Sequence, residues 1–188
     1  MKIEEGQIIE EFEAKDGKKI VFRTPKNSDV AQLLNFINSL IEEDTFISLT
    51  KKKTKIEEKK YLKKILRSMK EGKGFWLVAL HENRIVAHGG VRVKDEGRSP
   101  HVGKIGLCVI KPYRNLGIGK RLFFHLVEFG RKLGFKYLLL EVFASNKIAL
   151  KLYKKFGFKQ VAKIPNLLIH KGKYVDAIWM MKKLKVKS

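Results

Sequence analysis

The stretch Val109-Ile110-Lys111-Pro112-Tyr113-Arg114-Asn115-Leu116-Gly117-Ile118-Gly119-Lys120 joins an apolar run to a segment of helical periodicity through two closely spaced glycines. A helix that starts at such a turn presents backbone N–H groups with no intrahelical partner, and its dipole adds positive potential there. Glycines let an anion come close to that backbone. The spacing therefore predicts a diphosphate site from Arg114 to Lys120, with Arg114 and Lys120 adding charge at its rim. Two other phosphate loops are excluded. A P-loop requires G-x-x-x-x-G-K-[ST], yet Arg121 follows Gly119-Lys120 and Arg114 stands where the first glycine belongs. A dinucleotide fingerprint needs a third glycine, and Leu122 occupies that place.

A second group of residues carries proton chemistry. Tyr153 lies in a helical segment, and a phenol with pKa about 10 can protonate a leaving group of similar basicity. It can equally pack with Ala149, Leu152 and Phe156. Glu141 interrupts the apolar run Leu138-Leu139-Leu140 and Val142-Phe143, so it needs solvent or a partner. With His88, beside Gly89-Gly90, and Asp176 it makes three candidate bases, each on a predicted strand. Asn146 fits a helix N-cap. Cys108 has no paired base in the sequence and reads as a small core residue.

The elements that must position these residues follow from periodicity and punctuation. Ile8 to Ala14 and Lys19 to Phe22 read as strands joined by an Asp16-Gly17 turn. Ser28 is placed to cap a helix over Asp29 to Leu40, with Val30, Leu33, Leu34, Ile37 and Leu40 or Ile41 on one face. Asp44 to Thr50 reads as a loop entering a lysine-rich amphipathic helix with Ile56, Tyr61, Leu62, Ile65, Leu66 and Met69 inward. Phe75 to Leu80, Ile85 to Val93 and Val102 to Ile110 form an antiparallel meander. Next come a helix over Ile118 to Leu133 with Leu122, Phe123, Leu126, Val127 and Gly130 buried, a strand Tyr137 to Phe143 and a helix Asn146 to Phe156. Strands Phe158 to Ile164 and Tyr174 to Met181 close the chain, with a loop from Lys163 to Lys173. The order predicts an α+β, or mixed α/β, fold on one sheet with a parallel crossover from Val102 to Phe143.

The turn R-x-x-G-x-G resembles the coenzyme-A-binding signature of the GNAT superfamily of N-acetyltransferases. Downstream, Asn146-Lys147-Ile148-Ala149-Leu150-Lys151-Leu152-Tyr153-Lys154-Lys155-Phe156-Gly157-Phe158 resembles the second hallmark, N-x-x-A-x-x-L-Y-x-x-x-G-F. Gly172 to Asp176 with Met180, and Ile85 to Gly90, add weaker likeness. The resemblance runs from about Ile20 to Leu184 and is weakest between Leu40 and Lys73, the region that shapes the acceptor site in this family. It implies a central mixed, mostly antiparallel sheet flanked by helices, with acetyl-CoA as cosubstrate and no metal. It further implies that the backbone of Leu107, Cys108 and Val109 holds the pantetheine arm and acetyl carbonyl. Arg114, Asn115, Leu116, Gly117, Ile118, Gly119 and Lys120 would hold the pyrophosphate, and Asn146 would contact the coenzyme directly or through water. Tyr153 would be the acid. The base stays open among Glu141, taken first, His88, Asp176 and an ordered water. The acceptor is an amine on a small molecule, an amino acid or a protein.

Bulk properties bound these expectations. One domain is expected over 188 residues, with residues 1–17 as an N-terminal strand and extension. No apolar run approaches the roughly 20 residues that span a bilayer. Glu4, Glu5, Glu10 and Glu11 in place of a basic, then apolar, start argue against a secretory signal, and a single cysteine suits a reducing cytoplasm. The net charge of +22 admits a nucleic-acid partner. The spread of the lysines and the presence of only three glutamines favour a thermophile-like surface instead. A protein that senses acyl-CoA or binds nucleic acid without turnover is the alternative function, and a homodimer is an open option for its assembly.

Overall fold

The computed structural model of the protein describes residues 4–185. Its strands are β1 (Ile8–Glu13), β2 (Lys19–Arg23), β3 (Gly74–His81), β4 (Arg84–Val93), β5 (Val102–Val109), β6 (Tyr137–Phe143), β7 (Lys159–His170) and β8 (Lys173–Lys183). Its helices are α1 (Val30–Glu42), α2 (Lys55–Lys70), α3 (Ile118–Lys132) and α4 (Lys147–Lys155). The strands form one eight-stranded sheet in the order β1-β2-β3-β4-β5-β6-β8-β7. Only β5 and β6 run parallel, which is the expected crossover through α3. All other neighbours are antiparallel.

Alternation along β4 divides the helices between the faces. A Cβ at Gly89 would lie 2.9 Å from a Leu126 methyl, so this face carries α3. The next residue back, His88, meets Phe36 of α1 and Tyr61 of α2 on the opposite face. The α3 stripe Leu122, Phe123, Leu126, Val127 and Gly130 is buried as its period dictates. Phe123 in turn packs against Tyr153, Phe156 and Phe158, which holds α4 on the same side.

Four local expectations are corrected. Ser28 does not cap α1. A 3₁₀ turn over Asn27–Asp29 precedes the helix, and the buried Asp29 carboxylate accepts from the Lys26 backbone N–H and from both terminal nitrogens of Arg23. The core face of α1 is Leu33, Phe36 and Leu40, with Val30 and Ile37 only partly covered. On α2, Ile56 is 69% exposed, while Glu58 takes the inward position with Leu62, Ile65 and Met69. Lys163 to Lys173 is not a loop. β7 continues to His170 and turns through Lys171 and Gly172, both at positive φ, into β8. Pro165 is tolerated because β7 is the sheet edge and its register with β8 shifts between Ile164 and Leu168.

Candidate active site

The parallel ladder between β5 and β6 covers only Val102–Lys104 against Tyr137–Leu139. Beyond it, β5 stays paired to β4 as far as Val109, and β6 to β8 as far as Phe143. The two strands therefore splay, and their facing edges have no ladder partner in each other. Ile110 N–H bonds Val86 O of β4 at 3.1 Å, so alternation turns Cys108 toward β4 as well. Leu107 and Val109 are left directing backbone groups into the splay. A chain with amide groups of its own, laid in this gap, would find a strand edge to pair with.

The splay ends at the glycine turn. Gly117, at φ +88°, is a left-handed N-cap of α3, a conformation that glycine adopts without strain. The first bond closing the helix is Arg121 N–H to Gly117 O, 3.1 Å. Among the described residues, the N–H groups of Ile118, Gly119 and Lys120 have no backbone acceptor outside the helix. A Cβ at Gly117 would meet nothing within 4 Å, and one at Gly119 would touch only Val109 and Leu107 at 3.5 and 3.6 Å. Packing within the protein thus leaves room at both glycines. Open space, unpaired donors and a helix dipole fit a diphosphate.

Arg114 is engaged within the protein. Its guanidinium is paired in fork geometry with Glu43 at the end of α1, Nη2 lying 2.7 Å from Oε2, while Nε donates to Val109 O at 2.9 Å. This ties the turn to the segment after α1. That segment is also held by the β7–β8 tip: His170 Nε2 donates to Asp44 O, Lys171 N–H reaches Asp44 Oδ2, and Phe46 packs against both Phe143 and His170. The result is a strap from the glycine turn to the hairpin, across the end of the splay.

Tyr153 is 8% exposed, and its hydroxyl makes no hydrogen bond to protein among the described residues. Burial pushes its pKa up to about 12, and nearby Cys108 adds to the rise. The phenol is therefore a proton carrier at neutral pH. Burial likewise lifts the Cys108 thiol to about 11, against a smaller lowering by Arg114, so it is not a thiolate nucleophile. Asn146 does cap α4, its Oδ1 accepting from Ala149 N–H at 3.1 Å.

The three candidate bases differ in their surroundings. Asp176 pairs with Lys163 at 2.9 Å and accepts from Asn166 N–H. The Lys163 bond first, then the amide, hold its carboxyl below the usual range, which makes it a poor base and a tie within the hairpin. His88 Nδ1 lies 3.0 Å from Leu77 O, an atom that only accepts, so Nδ1 carries the proton. Nε2 is then the acceptor for the Tyr61 hydroxyl at 3.1 Å. Burial lowers the His88 pKa to about 4, and its basic lone pair is already engaged. Glu141 accepts from Trp179 Nε1 at 2.8 Å and lines a cleft of about 200 Å³ together with Arg92, Lys104 and Leu139.

Sequence reasoning missed Tyr61, Glu58, Glu43 and Phe46. The first two sit in a lysine-rich helix whose charge hid them, although Glu58, Leu62, Ile65 and Met69 recur at 4, 3 and 4 residues. Glu43 and Phe46 gain their roles only from contacts far along the chain.

Comparison with known proteins agrees with this geometry. An L-amino acid N-acetyltransferase of Escherichia coli, AaaT, is 32% identical over 105 residues, 55% of this chain and 65% of that protein, so the match spans less than two thirds of its length. A GNAT-family acetyltransferase structure from Streptococcus pneumoniae superposes with TM-score 0.80 at 25% identity, covering 88% of this chain and 99% of that one. The yncA structure from Salmonella typhimurium, with its cofactor acetyl-CoA, has TM-score 0.79 at 14% identity, covers 90% of this chain and 96% of that one, and supports the fold alone. The family model described as acetyltransferase (GNAT) family matches residues 35–158, two thirds of the sequence and both halves of the splay, and this chain belongs to that family.

Proposed function

We propose that the protein transfers the acetyl group of acetyl-CoA to a primary amine by direct attack on the thioester. The observation that carries this reading is the splay of β5 from β6, which ends on the glycine turn and has the Tyr153 phenol nearby. Leu107 and Val109 offer backbone groups to the pantetheine amides and to the oxyanion that forms on the acetyl carbonyl. Cys108, between them, sets the floor with its neutral thiol. Asn115, Leu116, Gly117, Ile118, Gly119 and Lys120 receive the pyrophosphate, while Arg114 holds the turn in shape through Glu43 and Val109. Asn146 contacts the coenzyme from the start of α4.

The acceptor amine must reach the carbonyl uncharged, although an alkyl ammonium has pKa about 10.4. Glu141 is the base in this scheme, acting directly or through a water, with Trp179 fixing its carboxylate. Nitrogen bonds to the acetyl carbon, the carbon–sulfur bond breaks, and the thiolate takes the Tyr153 proton. The tyrosine recovers it from the nitrogen, which ends as a neutral amide. The relative from E. coli is named for L-amino acids, and amino acids, small amines and protein amines are the acceptor classes to screen.

Thermal unfolding with and without acetyl-CoA tests the proposal. A ligand bound only by the native state raises the melting temperature by mass action. A rise with acetyl-CoA that is absent with ATP or NAD, followed by amine-dependent release of free thiol, is expected. No rise at millimolar acetyl-CoA refutes it.

A further inference from the structure

Glu58 is a carboxylate in a position built for an aliphatic side chain. It heads the inward stripe of α2, followed by Leu62, Ile65 and Met69, and is only 5% exposed. Among the described residues, no hydrogen bond or ion pair reaches it, although the chain has 41 lysines and arginines. Lys53 acts on it only at longer range, because its Nζ is committed to Glu57 at 3.2 Å. No side-chain oxygen among the described residues is both sealed from solvent and unpartnered, so the unpartnered Glu58 carboxylate keeps some contact with solvent. Leaving such a group buried and unpaired costs stability, which Lys53 offsets only at longer range.

One turn along α2 is Tyr61, whose phenol is kept from ionising first by burial and then by the Glu58 charge. The tautomer of His88 fixes what Tyr61 can do. Its single proton goes to His88 Nε2, so its oxygen offers only lone pairs to a ligand. His88 pairs in register with Cys108, flanked by the Leu107 and Val109 backbones that face the splay. Tyr61 therefore presents lone pairs close to the strand segment where the acetyl group is held in the function proposed above, and Glu58, one turn away on α2, adds a carboxyl group.

We infer that Glu58 and Tyr61 form the docking subsite for the protonated acceptor, taking a primary ammonium whose carbon bears no carboxylate. An ammonium has three donors and no acceptor, the complement of this pair. A free amino acid would bring its own carboxylate up to Glu58 and be repelled. An amino-acid amide or a peptide N-terminus, with the same amine and a neutral carbonyl, is accepted. The subsite rests on the acetyltransferase reading, and it assigns binding to Glu58 and Tyr61 while proton removal stays with Glu141.

Calorimetric titration of phenylalaninamide, and separately of phenylalanine, into the full chain saturated with coenzyme A tests this. Expected are binding of the amide at least about tenfold tighter than of the free acid, about a tenfold loss of amide affinity in Glu58→Gln, and a smaller loss in Tyr61→Phe. Glu58→Leu completes the apolar stripe, so its melting temperature should rise while amide binding disappears. No amide binding by the wild type, equal affinity in Glu58→Gln, or a lower melting temperature in Glu58→Leu would each overturn the subsite. The acetyl-CoA melting shift of the same variants separates the two readings: if it persists while Glu58→Gln binds amide normally, only the subsite fails.

Discussion

Tyr153 shows how burial assigns a role to a single residue. A phenol pushed up to about 12 stays protonated throughout the working range and has no hydrogen-bond partner among the described residues, and the proposed mechanism gives that proton to the leaving thiolate. Tyr153→Phe should lower single-turnover acetyl transfer by about 10²- to 10⁴-fold with coenzyme affinity unchanged, since only the hydroxyl is lost. The two unusual glutamates move stability in opposite directions with pH. The hydrogen bond from Arg114, with Lys111 and Lys171 nearby, lowers the Glu43 carboxyl, so its stabilisation is full above the unfolded value of 4.5 and is lost as pH falls through the folded one. Burial raises Glu58, with Lys53 and Glu57 its charged neighbours and Tyr61 close by, so stability falls as pH climbs from 4.5 through its folded value. Melting curves from pH 3 to 8 should therefore have a shallower acid-side slope in Glu43→Gln, to which Asp16, Glu57, Asp95 and Asp176 still contribute, and a smaller decline above pH 4.5 in Glu58→Gln. Tyr153 was legible because it belongs to a long motif. Glu58 was not, because one carboxylate among Lys55, Lys59, Lys60, Lys63 and Lys64 reads as part of a solvated face.

The site is made by elements that part company. β5 and β6 begin as a parallel pair and separate after Lys104, and α3 starts where the opening ends. The glycines of the turn can be separated by experiment. Gly119→Ala meets only ordinary contacts with Val109 and Leu107, so unliganded stability should hold while the acetyl-CoA melting shift is lost. Gly117→Ala must also adopt φ +88°, which costs about 1–2 kcal/mol, so it should melt lower even without ligand. The α3 helix, the crossover and the meander were legible because their periodicities are unbroken. The splay was not, since no residue pattern says where a parallel ladder stops. Nor was the full length of β7, because Pro165 reads as a break and only an edge position excuses it.

At the scale of the whole molecule, a charge of +22 meets a coenzyme with several phosphates. Long-range attraction then speeds encounter and is screened by salt. The association rate of acetyl-CoA measured by stopped flow should fall between 50 and 500 mM salt more steeply than the dissociation rate rises. A coenzyme present at about 100 times its dissociation constant adds about 2.7 kcal/mol, an upshift of about 5–11 °C for a chain of this size. No helix among the described residues is long and apolar enough to cross a membrane.

The strand order has a consequence for how the chain is made. β8 lies between β6 and β7, so β7 is synthesised before the strand that joins it to the sheet. Until Lys173–Lys183 is available, the Tyr137–Phe143 edge stays open and the hairpin that anchors the strap has no second strand. On a ribosome, the earlier strands can pair while this edge waits, a template for mispairing with a neighbouring nascent chain. Folding should thus be limited by late insertion of β8 between β6 and β7, and the strap anchored by the β7–β8 hairpin should be the last part to form.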